Sequence, residues 1–283
     1  MTIGEGKKIF RHKLKKIYSI REIDYYYKHL LRECFNRSPI ELALNPNYKF
    51  QKSEVKLLEK ALSQLLIEMP IQYIIGKTYF RNLNLKVNQK VLIPRIETEE
   101  LVDWIIDDHN TMKENQKVVL DIGTGSGCIA IALAKEQPLF TVLALDKDMG
   151  IIKLAKENAK SCGVNIEFFK HDITHMGVID LKFDIIVSNP PYVIEKEKQE
   201  MTRSVLNYEP HKALFVPKND PLIFYRYILE FSRSNLNSNG FLYFEINPLL
   251  LEGLNRLIDH EIYTVLERMD IFGKVRMLRL QKH

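Results

Sequence analysis

Between Val118 and Ala132 the chain reads Val-Val-Leu-Asp-Ile-Gly-Thr-Gly-Ser-Gly-Cys-Ile-Ala-Ile-Ala. An apolar run passes through three alternating glycines into a stretch of small and apolar residues. Few folds accommodate such a segment. The run reads as a buried strand, the glycines as a tight turn, and the remainder as a helix packed back on the strand. Glycine at this turn also lets main chain approach a ligand closely, and the helix start offers free N–H groups. The spacing is Gly-x-Gly-x-Gly, and Cys128 stands where a dinucleotide fingerprint has its third glycine.

The rest of the chain is consistent with that unit. From Lys117 onward, short apolar runs at 117–121, 141–146, 165–170, 183–188, 241–246, 263–268 and 274–280 alternate with helical stretches of crossover length. That order predicts an α/β fold with a doubly wound, Rossmann-like sheet, mostly parallel with its last strand antiparallel. Before it, no glycine occurs between Gly6 and Gly76, and Ile9–Phe35 and Ser53–Glu68 carry apolar residues at helical spacing, with Ser53 placed to cap the second. Alternation over Tyr79–Val87, then Val91–Ile93 after a polar Asn88-Gln89-Lys90 turn, predicts a β-hairpin. The expected organisation is a small helical domain (1–75), a β-hairpin linker (76–95) and an α/β domain (96–283).

With 46% hydrophobic and 27% charged residues, the chain is neither a disordered tail, a collagen nor a coiled-coil rod. No apolar run approaches the ~18 residues that span a bilayer, and the basic N-terminus lacks the apolar core of a secretory signal. Cys34, Cys128 and Cys162 share no metal-type spacing, and their odd number argues against a disulfide framework. A cytoplasmic protein is expected, without membrane attachment.

Two acids frame the glycine turn. Asp121 ends the first strand candidate, a poor neighbour for a pyrophosphate and a good one for a cationic ligand. Asp146, 25 residues later, ends the second and is placed to accept both ribose hydroxyls of a nucleoside. A sulfonium nucleoside such as S-adenosyl-L-methionine satisfies both. His171-Asp172, after the third strand candidate, falls where an adenine amino group could be bound. His171 and His175 are four apart, but the segment lacks a clear helix, and no metal site is expected.

The fourth strand candidate ends in Asn189-Pro190-Pro191-Tyr192. Consecutive prolines stop the strand and fix the backbone. What remains is rich in acceptors, the Asn189 side-chain carbonyl and the Pro190 main-chain carbonyl. Two fixed acceptors suit an incoming –NH2 group whose lone pair is delocalised. Binding both hydrogens turns that lone pair towards a methyl carbon, which is catalysis by positioning and preorganised electrostatics. Tyr192 is placed to stack on the planar group.

The glycine turn followed at this distance by Asn-Pro-Pro-Tyr resembles the amino-methyltransferases that use S-adenosyl-L-methionine. Gln72-Tyr73-Ile74-Ile75-Gly76, Tyr79-Phe80, Val91–Val102, Tyr208–Leu214 and Asp270–Arg276 narrow the resemblance to the HemK-type release-factor glutamine methyltransferases. It runs from about residue 70 to the C-terminus. It implies a helical substrate-docking domain, a class I methyltransferase domain, and methylation of the glutamine amide in the Gly-Gly-Gln motif of class 1 peptide chain release factors. Carried over, Gly123, Thr124, Gly125, Ser126 and Gly127 would wrap the methionine part of the cofactor. Asp146 would hold the ribose, Asp172 or Ile173 would border the adenine, and Asn189, Pro190, Pro191 and Tyr192 would grip the amide. Ile96 and Asn247 depart from the family pattern, outside the expected chemistry. The rival readings are a nucleic-acid adenine or guanine amino-methyltransferase, a ribosomal-protein glutamine methyltransferase, and a non-catalytic nucleoside or translation-factor binder. The net charge of +5 bears on the choice. Residues 1–75 hold 14 Lys and Arg against 8 Asp and Glu, whereas the remainder holds 27 against 28. A base-flipping enzyme would want positive charge at its catalytic mouth. A protein partner is therefore expected, and the chain itself is expected to act as a monomer.

Overall fold

The computed structural model describes residues 1–35, 39–45, 48–110, 116–176 and 179–283; of the expected helical domain, residues 36–38 and 46–47 lie outside these. The chain divides into two units, residues 1–77 with 201–208, and residues 78–200 with 209–283.

The first unit is built from α1 (Ile3–Leu14), α2 (Ile20–Phe35), α3 (Pro39–Leu44), α4 (Lys52–Leu66) and α5 (Ile71–Ile75). The helical spacing of Ile9–Phe35 is shared by two helices, because Ser19 starts a new one. The Glu22 N–H donates to Ser19 Oγ at 3.3 Å and the Ser19 N–H to the Glu22 carboxylate at 2.8 Å, a reciprocal cap. At α4 the cap falls on Gln51, whose N–H donates to Glu54 at 2.8 Å, so Ser53 lies inside the first turn. Phe10, Leu14, Ile23, Tyr27, Leu30, Leu58 and Leu65 form the core of this unit.

The second unit begins within a hairpin, β1 (Lys77–Phe80, of which Lys77 belongs to the first unit) and β2 (Leu83–Lys86), followed by α6 (Ile96–His109). The sheet then takes β3 (Lys117–Ile122), β4 (Phe140–Asp146), β5 (Glu167–Lys170), β6 (Phe183–Ser188), β7 (Leu236–Glu245), β8 (Tyr263–Met269) and β9 (Val275–Lys282). All seven apolar runs are strands, in the order β5-β4-β3-β6-β7-β9-β8, and β9 pairs antiparallel with both neighbours. The intervening helices are α7 (Cys128–Glu136), α8 (Met149–Cys162), α9 (Arg203–Tyr208), α10 (His211–Leu214), α11 (Ile223–Asn235) and α12 (Leu251–Leu257), with α9 belonging to the first unit. Alternate strand residues serve the two faces. Val119, Ile185, Val187 and Tyr243 pack with α6, α7 and α8, while Leu120, Ile186, Leu242 and Phe244 pack with α11 and α12. A sheet covered on both sides needs such continuous apolar strands. Strand order reverses between β3 and β6, which opens a crevice at their C-terminal ends.

The hairpin corrects the sequence reading. Its turn is at Arg81-Asn82 and not at Asn88–Lys90, and Val91–Ile93 is no strand. Arg81 holds the tip in a left-handed conformation (φ 52°) because its groups are tied down on three sides. Its N–H donates to Glu99 at 2.7 Å, and its guanidinium donates to Asp103 on α6 at 2.5 Å and to Glu136 on α7 at 2.6 Å. Val91 and Ile93 are apolar because they are buried coil. Among the described residues no helix is long and apolar enough to cross a membrane.

Candidate active site

At the end of β3, Gly123, Gly125 and Gly127 take φ values of 77°, 56° and 84°, where a side chain would be strained. A Cβ at Gly123 would meet nothing within 4 Å, which leaves open ground for a ligand against the main chain. Gly127 has a different reason: it caps α7, and a Cβ there would stand 2.9 Å from Ile131 Cδ1. The turn is fastened from α8 by Asn158, which is fully buried. Its Nδ2 donates to the Ser126 carbonyl at 2.8 Å and to the Lys86 carbonyl at 3.0 Å, and its Oδ1 accepts from the Lys86 N–H at 2.8 Å.

Asp121, 1% exposed, accepts from Thr124 Oγ1 at 2.7 Å on one oxygen. Its other oxygen makes no well-formed hydrogen bond, the Ala130 N–H offering only a weak approach. Burial, against these hydrogen bonds, pushes its pKa up to about 7. Asp146, at the end of β4, is buried as well, and burial raises its pKa. Its oxygens accept from the Gly125 and Asp148 N–H groups, each at 3.2 Å. Asp172 is half-buried; burial opposes its charge, but hydrogen bonds from the Thr174 N–H (3.0 Å) and Oγ1 (2.8 Å) hold its carboxyl below the ordinary range.

A cavity of about 730 Å³ runs along these strand ends. Its walls include Gly123, Thr124, Gly125, Ser126, Asp146, Asp172, Ile173, Asn189, Pro190 and Pro191. Asp121, Gly127 and Tyr192 are not on its surface and stand behind it. The structure thus brings Asp146, Asp172, most of the glycine turn and the Asn-Pro-Pro segment to one space, large enough for a nucleoside-sized ligand beside a second, smaller group.

The surroundings of Asn189 are not legible in the sequence. β6 pairs with β7 so that Ser188 lies beside Phe244, which sets Asn189 beside Glu245. Glu245 is 1% exposed. One of its oxygens accepts from Asn189 Nδ2 at 2.8 Å and from Thr98 Oγ1 at 2.6 Å; the other accepts from the Tyr192 hydroxyl at 2.8 Å. Asn189 Nδ2 also donates to Thr98 Oγ1 at 3.1 Å. Burial raises the pKa of Glu245, opposed by the Thr98 and Tyr192 hydroxyls, and burial and the Glu245 charge together lift that of Tyr192. Asn247, expected to lie outside the chemistry, belongs here too. Its Nδ2 donates to the Tyr192 carbonyl at 3.1 Å and to Glu197 at 2.7 Å. On another wall, Arg95 pairs with the buried Glu209 at 2.5 Å, and Glu209 also accepts from the Ile93 N–H at 3.3 Å. Pro94 and Pro210–Ala213, the neighbours of this pair, line the cavity.

Comparison with known proteins agrees with this geometry. Residues 108–214 match the family described as Methyltransferase small domain. The crystal structure of a methyltransferase from Pyrococcus furiosus shares the fold, with a TM-score of 0.51 at 20% identity, over 82% of this chain and 99% of that one. The second unit is therefore a Rossmann-like methyltransferase domain. Residues 10–76 match the PrmC N-terminal domain. The chain is 42% identical to the release factor glutamine methyltransferase of Flavobacterium psychrophilum, over 99% of both chains, and 38% identical to that of Bacteroides thetaiotaomicron, over 95% of this chain and 96% of the relative. It belongs to the release factor glutamine methyltransferase family.

Proposed function

We propose that this protein transfers a methyl group from S-adenosyl-L-methionine to the side-chain amide nitrogen of the glutamine in the Gly-Gly-Gln motif of class 1 peptide chain release factors. The observation that carries this reading is the Asn189 side chain, fixed on the same cavity as the open glycine turn. The residues present fit the cofactor. Gly123 leaves space for a ligand, Asp121 Oδ1 and Ser126 Oγ are buried without well-formed partners, and the donor set suits a cationic, hydroxyl-bearing molecule. In this reading Gly123–Ser126 hold the methionine end, with Asp121 and Gly127 supporting the turn from behind, Asp146 holds the ribose, and Asp172 with Ile173 forms the adenine border. When bound, the cofactor supplies an electrophilic methyl group and carries its own leaving group.

The protein's contribution is alignment. Asn189 Oδ1 and the Pro190 carbonyl accept the two amide hydrogens of the substrate, which directs the nitrogen lone pair along the line of displacement. The rigid Pro190-Pro191 backbone keeps the acceptors in place during transfer. The amide proton leaves after the carbon–nitrogen bond forms, so no strong base is required. Tyr192, hydrogen-bonded behind the wall, supports this segment rather than offering a free face.

The test uses labelled S-adenosyl-L-methionine with a release factor, the same factor with its motif glutamine substituted, tRNA and duplex DNA. Label is expected in the unsubstituted factor alone. Label in nucleic acid and none in the factor would overturn the reading.

A further inference from the structure

We infer that Glu245 is a positioning residue that decides which edge of the Asn189 amide faces the incoming substrate nitrogen. The inference rests on the amide-methylation reading above and goes one residue behind it. A carboxamide has an acceptor edge and a donor edge of nearly the same shape, and a half-turn about its last torsion exchanges them. The two orientations have opposite chemical consequences here. With Oδ1 towards the cavity, Asn189 accepts a hydrogen from the substrate –NH2. With Nδ2 there, it would donate to that nitrogen and occupy the lone pair that must attack carbon.

Something in the fold must therefore fix the polarity, and the prolines that follow cannot, since they constrain main chain only. The hydrogen bonds show what does. An ionised carboxylate accepts and never donates, so the edge of Asn189 that meets Glu245 has to be the donor edge. Thr98 reinforces this. Its hydroxyl proton is directed to Glu245 at 2.6 Å, so towards Asn189 it presents a lone pair, and it accepts from Nδ2 at 3.1 Å. Nδ2 donates towards these two neighbouring acceptors, and Oδ1, without a hydrogen-bond partner among the described residues, is left for the cavity. The second carboxylate oxygen receives the Tyr192 hydroxyl at 2.8 Å, so the same group also anchors the end of the tetrapeptide. Burial and the Glu97 charge oppose ionisation of Glu245, but three donors converging on its two oxygens match the charged form, and Arg276 on β9 supports it. Charge-assisted hydrogen bonds of this kind are the strong ones.

A polarity argument allows a polarity test. Glu245→Gln keeps the shape but offers a donor, which lets Asn189 turn over. Asn189→Asp sets two carboxylates against each other. In the double variant N189D/E245Q the roles are exchanged. The amide introduced at position 245 donates to the carboxylate introduced at position 189, and its carbonyl still accepts from Tyr192. The other carboxylate oxygen at position 189 still faces the cavity. Expected for E245Q is a kcat on the release factor lowered by ~100-fold, the size seen when one preorganised hydrogen bond is lost, with KM for the factor and binding of S-adenosyl-L-methionine held within about threefold. N189D is expected to lose as much, and the double variant to regain at least about tenfold over either single change. A merely structural Glu245 gives no such recovery. A double variant no better than N189D alone overturns the proposal, as does an E245Q enzyme within about threefold of wild type or one that loses cofactor binding in parallel. Should E245Q fail to fold alone, the comparison of the double variant with N189D still decides. Wild-type protein in the same assay keeps the claims apart, because its transfer of label to the release factor tests the reading of function whatever the variants do.

Discussion

Asp121 closes β3 with its carboxyl wholly inside the protein, and its protonation is set by that burial. In an unfolded chain this aspartate ionises near 3.8, and in the fold its pKa is pushed up to about 7. Between those values the unfolded chain has released a proton that the folded chain retains. The group's contribution to stability is thus full below about pH 3.8 and lost as pH rises through about 7. Asp121→Asn keeps the shape and the contact with Thr124 but cannot ionise. Melted without cofactor, the variant is expected to match wild type near pH 4 and to exceed it by on the order of 3 kcal/mol near pH 8. The check is chemical denaturation at both pH values. An equal gap at both would show that Asp121 does not titrate in this window.

Among the elements, the Arg95–Glu209 pair shows what two separate sequence motifs are for. The segment before α6 and the segment before α10 both line the cavity, and a single ion pair fastens them. The Glu209 side chain is 1% exposed, while that of Arg95 is 34% exposed. Removing the arginine strands a buried carboxylate against one remaining N–H. Arg95→Ala should cost about 2–3 kcal/mol, below the usual range for a fully buried pair because Arg95 is partly solvated. Adding Glu209→Gln should return part of the loss by removing the stranded charge, a recovery that urea melts of the three variants would reveal. This pair also marks the limit of what the sequence disclosed. All seven strands of the sheet could be read from it, since each is a short run rich in apolar residues, and the central ones are buried on two faces. The glycine turn and Asn189 stood out by residue type, and the fold sets both on one cavity. Val91–Ile93 misled because a buried coil and a strand look alike when only hydrophobicity is counted. Glu245 and Thr98 stayed hidden for another reason. Each is an ordinary polar residue near the end of its element, and only the β6–β7 register and the packing of α6 bring them to Asn189. Those are contacts across 56 and 91 residues of chain, beyond any local pattern.

For the whole molecule, charge and chemistry are kept in different places. The helical unit carries the positive excess, and the methyltransferase unit is close to neutral. Not all of the basic run on α1 and just after it is available to a partner. Lys7 and Arg11 both pair with Asp24, at 3.0 and 2.5 Å, while Lys8, Lys13, Lys15 and Lys16 remain exposed. A cluster of this kind does little for the bond-forming step, but a long-range field steers an oppositely charged partner during encounter, and salt removes it. Replacing these four lysines with glutamate should therefore lower kcat/KM for the release factor by on the order of tenfold at low salt. The deficit should shrink as ionic strength rises towards ~0.5 M, where charges a few ångströms apart are already screened. At saturating factor kcat should be unchanged, and binding of S-adenosyl-L-methionine should be untouched, since no pocket residue is altered. Steady-state methylation at three salt concentrations separates the outcomes. A loss that persists at high salt would mean the lysines make close contacts, and no loss at all would leave the charge of the helical unit without a part in substrate capture.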